Sequence, residues 1–159
     1  MGHPSPSPTP HSLTLAEFVL RRNGVPLGDT ESLKNMFSHA FGAGTFAGFW
    51  HYWNPIWGYA LGKYVYAPLQ SLAPSWLALL LTFIFSGGLH DLVIMAIRRE
   101  PAFIFIPWFF LLGVGVILGK AVNFDFSSYP WSVRAGINFS YLLTCFVLMQ
   151  FTKQLVGFS

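Results

Sequence analysis

Three apolar runs, residues 75–97, 101–119 and 131–151, constrain this chain more than any other feature. A helix of about 20 apolar residues crosses roughly 30 Å of hydrocarbon, and it satisfies its own backbone groups, as lipid demands. In water these runs need a bilayer or a membrane complex around them. Charged residues are only 9% of the chain, against about 25% in soluble domains. The expected fold is therefore all-α: an integral membrane helical bundle of three clean spans, with Pro107 predicting a kink in the middle one.

The remainder reads as structure at the membrane edge. The alternating prolines of residues 1–11 predict a disordered or polyproline-like tail, without the basic-then-apolar order of a cleavable signal peptide. Residues 12–159 form the single helical domain. It opens with a short interfacial helix over 12–22, Ser12 at its N-cap and Arg21 and Arg22 in its last turn. Asn23-Gly24-Val25-Pro26 breaks that helix, and Asp29-Thr30-Glu31-Ser32 starts another through Phe41. Residues 41–69 are apolar but crowded with Gly, Pro, Asn, His and Lys. That mixture suits a re-entrant or bundle-buried segment lining something, not a lipid-facing span.

Charge and cysteine content narrow the function. The net charge is +3, yet the nine basic residues are scattered, so no stripe faces successive phosphates and nucleic acid is not an expected partner. Their distribution puts the N-terminal side in the cytoplasm if 41–69 does not cross. Cys145 lies alone inside an apolar run, which leaves it a packing role. No histidine pair with a carboxylate has metal-ligand spacing, so no metal is expected. The chain also lacks a nucleophile elbow, a Walker loop and a dinucleotide fingerprint.

Two constellations remain. His90 follows Gly87-Gly88 and precedes Asp91 inside the longest apolar run, with Ser86 one turn earlier on the same face. Ionisable residues within spans face a bundle interior or a wet cavity and mark functional sites by default. A neutral imidazole can take a proton from an alcohol, and the paired glycines let a helix, an acyl chain or a head group approach closely. The competing reading has His90 and Asp91 capping or bridging helices. In the second constellation Trp50, Trp53 and Trp57 recur at helical spacing with Asn54 among them, predicting one face that sets an amide beside an aromatic wall. An aromatic belt at the membrane interface is the competing reading there.

Phe49-Trp50-His51-Tyr52-Trp53-Asn54, then Tyr64-Val65-Tyr66-Ala67-Pro68, then Ser86-Gly87-Gly88-Leu89-His90-Asp91 together resemble the membrane-bound O-acyltransferase superfamily in residues, order and spacing. The likeness is nearest to its diacylglycerol, sterol and wax-ester branch, where Asn follows the second tryptophan. It covers residues 44–97, within an acyltransferase-like core over 41–97. The resemblance implies that His90 and Asn54 are catalytic, with Trp50, Trp53, Trp57, Ser86, Gly87, Gly88 and Asp91 against substrate. It further implies acyl transfer from a thioester, acyl-CoA as co-substrate and no resident cofactor, to the hydroxyl of a lipid-like acceptor. That family's fold has more spanning helices than 159 residues supply, which implies a homo-oligomer or a larger membrane complex. The rival function is a non-catalytic membrane subunit that binds lipid or pigment within such a complex. A channel or transporter fits less well, because the chain has no repeated halves.

Overall fold

The structure, a computed structural model, describes residues 13–101 and 103–156, the side chains of 155 and 156 excepted. The expected proline-rich tail lies outside the described residues. Among those described, regular structure is entirely helical: α1 Leu15–Asn23, α2 Ser32–Phe41, α3 Phe46–Tyr52, α4 Pro55–Leu61, a π-helical turn Gly62–Tyr66, α5 Ala67–Gln70, α6 Ser75–Arg98, α7 Phe105–Ala121 and α8 Trp131–Val156.

The short helices owe their ends to side chains. Thr14, not Ser12, caps α1: its hydroxyl accepts from the Glu17 N–H while Glu17 reaches back to the Thr14 N–H at 2.9 Å. The T-x-x-E spacing of a capping box carries that signal. Gly24 closes α1 at φ 77, a left-handed backbone that costs glycine nothing. Thr45 caps α3 through the Gly48 N–H at 2.9 Å.

The long helices form the frame. α6 and α8 follow the expected spans and extend to Arg98 and Val156, and these two are long and apolar enough to cross a membrane. The middle helix differs from expectation. α7 starts at Phe105 and has 17 residues, and Pro107 sits in its first turn, where a missing N–H leaves no internal bond unmade, so no kink arises there.

α6 and α7 make the closest pairing, α8 packs on α7, and α3 lies across α7 and α8. Phe83, Leu112, Val116, Tyr141 and Cys145 form the core between the long helices, with Trp50 packed against it. Buried Asn138 on α8 holds the turn between α2 and α3 by donating to the carbonyls of Phe41 and Ala43 at 3.0 and 2.9 Å. The connection from α7 to α8 buries Phe126, whose N–H donates to the Gly44 carbonyl at 2.9 Å.

Candidate functional site

The site begins where the α3 helix fails. Pro55 disfavours helical backbone in Asn54, the residue before it; Asn54 turns left-handed at φ 42 and Trp53 is extended, and asparagine tolerates the left-handed conformation better than most residues. The single helical face expected for Trp50, Trp53, Asn54 and Trp57 is therefore broken between α3 and α4. Asn54 becomes the N-cap of α4, its Oδ1 accepting from the Trp57 N–H at 3.2 Å. That bond occupies the oxygen end of the amide and leaves the NH₂ end available to a ligand.

The break nonetheless brings the three tryptophans together. Trp50, Trp53, Asn54 and Trp57 line one cavity of ≈ 380 Å³ with Ser86, His90, Thr82, Phe83, Phe109 and Tyr66. Trp50 is held by its Nε1 donating to the Tyr141 hydroxyl at 3.2 Å. Trp57 crosses to α6, where its Nε1 donates to Ser86 Oγ at 3.0 Å. The π-helical turn adds Gly62 and Tyr66 to the wall; widened turns of this kind recur at functional sites.

His90 is fixed on the opposite side. Its Nδ1 lies 2.7 Å from the Ser86 carbonyl. A carbonyl only accepts, so Nδ1 carries a hydrogen, and it is Nε2 that holds the lone pair of the neutral ring. Phe105, Phe109 and Trp57 surround the ring, at 5.3, 5.1 and 6.2 Å between centroids. Asn54, Trp57, Ser86 and His90 are thus joined in one chain of hydrogen bonds: Asn54 to the Trp57 backbone, the Trp57 indole to the Ser86 hydroxyl, the Ser86 carbonyl to His90.

Three residues expected against substrate do other work. Asp91 Oδ1 accepts from the N–H groups of Ile104 and Phe105 and its Oδ2 from that of Ile106, each at 2.9 Å. It caps α7 from the neighbouring helix, and Pro107 has no N–H to add. A Cβ on Gly87 would stand 2.7 Å from the Phe105 carbonyl oxygen, so Gly87 is the point where α6 and α7 touch backbone to backbone. A Cβ on Gly88 would meet the Ile106 side chain at an ordinary 3.8 Å. None of the three lines the cavity.

Arg22 lines the cavity too, although the sequence marks it only as a cation at a helix end. Its guanidinium lies 4.2 Å over the Phe18 ring and donates to the His51 carbonyl. Burial lowers the Arg22 pKa from its ordinary value, and burial followed by Arg22 itself lowers that of His51. Lys120, at the far end of α7, is a second cation on the lining, and no Asp or Glu is on it. A second cavity of ≈ 440 Å³, lined by Val19, Leu27, Leu33, Met36 and Ile56, shares Trp53 and Asn54 with the first. Among the described residues no group of three His, Cys, Asp or Glu side chains converges to hold a metal ion.

Compared with protein-family models, with curated proteins and with solved structures, the chain matches none of them.

Proposed function

We propose that this chain is a membrane-embedded O-acyltransferase that moves an acyl group from a thioester, acyl-CoA as donor, to the hydroxyl of a lipid-like acceptor. The observation that carries the reading is the cavity shared by His90 and Asn54, two residues from separate helices wired together through Trp57 and Ser86. The lining is aromatic with few polar groups, as small-molecule sites are.

The chemistry follows from the free atoms. His90 Nε2 takes the proton of the acceptor hydroxyl as its oxygen attacks the thioester carbonyl carbon. Negative charge develops on the carbonyl oxygen, and the Asn54 NH₂ is the donor that stabilises it. Collapse of the intermediate expels the thiolate, which recovers the proton from His90 as a thiol. Trp50, Trp53 and Trp57 keep water from the thioester. Ser86 positions His90 and Trp57 and is already engaged at both of its oxygens.

The membrane setting rests on exposure. The apolar windows of α6 and α8 have mean hydropathy of 1.9 and 1.3, yet only 33% and 22% of them is buried. Core helices of soluble proteins are mostly buried. Phe85, Leu92, Phe139 and Leu143 stand exposed on these helices, a surface that suits lipid chains and, in a homo-oligomer or larger complex, further helices.

An untargeted ester profile of membranes carrying the wild type, His90→Ala or Asn54→Ala at matched protein levels tests the proposal. An ester that appears with the wild type and vanishes with His90→Ala supports it and identifies both substrates. Coincident profiles in the native host overturn it in favour of a lipid-binding subunit.

A further inference from the structure

We propose that Arg22 is the anion anchor of this cavity, so that the ligand it selects is an amphiphile with a phosphate or carboxylate group. The inference rests on the cavity being a ligand site, and not on turnover there. A partly buried guanidinium without a carboxylate is costly unless something else compensates it. Among the described residues, Arg22 has the Phe18 ring and one backbone carbonyl as partners. The carboxylates that make hydrogen bonds in the structure make them elsewhere: Glu17 with Thr14, Asp29 with the Glu31 N–H, Glu31 with Lys34, Asp91 with α7 and Asp125 with the Ser127 N–H.

Both charged residues on the lining, Arg22 and Lys120, are cations. Desolvation is the larger influence on the Arg22 pKa and lowers it, with Tyr52 acting in the opposite direction. Its planar fork leaves several N–H groups to meet phosphate or carboxylate oxygens, a geometry arginine fits better than lysine. The aromatic residues that line the cavity with Arg22 and His90 accept the alkyl part. Phosphates of an acyl-CoA and the head group of a free fatty acid or lysolipid share this chemistry.

The test is saturable binding of labelled decyl phosphate and decanol to the full chain in neutral detergent micelles. The wild type should bind decyl phosphate about tenfold or more tighter than decanol, as a charge-assisted hydrogen bond allows. Salt should weaken the phosphate ligand alone. Arg22→Gln should reduce the preference to about twofold while keeping decanol affinity, and Arg22→Lys should retain part of it. Competition by decanoyl-CoA well beyond that by decanoate assigns the anion to the donor's phosphates; equal competition assigns it to a single head group.

Equal wild-type affinity for the two ligands overturns the proposal, as does an unchanged preference in Arg22→Gln. Loss of decanol binding together with decyl phosphate in both variants also overturns it, because Arg22 is then only a brace between α1 and α3. Failure to bind either ligand removes the cavity reading itself. An ester profile indifferent to His90→Ala removes catalysis and leaves the anion preference standing.

Discussion

Truncating Asp91 separates its capping role from any contact with ligand. Its carboxylate accepts three N–H groups at the start of α7 and is only 2% exposed. An ordinary exposed cap is worth about 1 kcal/mol, and each buried donor left without an acceptor costs about 1–3 kcal/mol. A negative charge at a partly buried helix N-terminus adds up to about 2 kcal/mol. One carboxylate serves all three donors, so these contributions overlap. Asp91→Ala should therefore lose about 3–5 kcal/mol, and Asp91→Asn, which keeps one accepting oxygen and turns an NH₂ toward the third donor, about 2 kcal/mol. Equilibrium unfolding in mixed micelles, followed by tryptophan fluorescence, measures both. A loss below about 1 kcal/mol in Asp91→Ala, coupled with lost ligand binding, would refute the argument.

Gly87→Ala should destabilise by about 1–3 kcal/mol, since its Cβ meets the α7 backbone, whereas Gly88→Ala should be neutral or slightly stabilising; thermal melts of the pair decide. Asn138→Ala leaves two carbonyls without their donor and should cost about 2–4 kcal/mol in the same assay. Trp57→Phe and Ser86→Ala each remove the indole–hydroxyl bond, so each should slow ester formation about tenfold, with the double variant no slower than either single one. Hydrogen bonds from Thr14 lower the Glu17 pKa below its ordinary 4.5. The capping box therefore holds above that value and is lost as pH falls through the folded pKa. Amide exchange in α1 should accelerate on acidification, and Glu17→Gln should remove that dependence.

The long helices were legible because an unbroken apolar run has few other conformations, and α6 and α8 lie where the runs do. The start of α7 was not legible. The acceptor that fixes it, Asp91, belongs to another helix, and no local pattern announces such a cap. The break at Trp53–Asn54 was written in Pro55, but helical spacing of three tryptophans masked it. His90 and Asn54 were readable as candidates from their chemistry, and their shared cavity depends on the Trp57 side chain of α4 reaching Ser86 on α6. Arg22 was invisible as a cavity residue for a related reason: which face of the short α1 meets the cavity is decided by packing, and a basic residue in a last helical turn has an ordinary local explanation.

The neighbours His90 and Asp91 point roughly 100° apart around α6, and the consequence is an imidazole without a counter-ion. Asp91 is committed to α7, so the imidazole is oriented by a peptide carbonyl and not by a carboxylate. On the proposed reading, the proton that His90 takes from the acceptor has a carbonyl dipole and no carboxylate beside it. Asp91, spent on α7, also brings no fixed negative charge to the cavity lining, so an entering anion meets no carboxylate beside the imidazole.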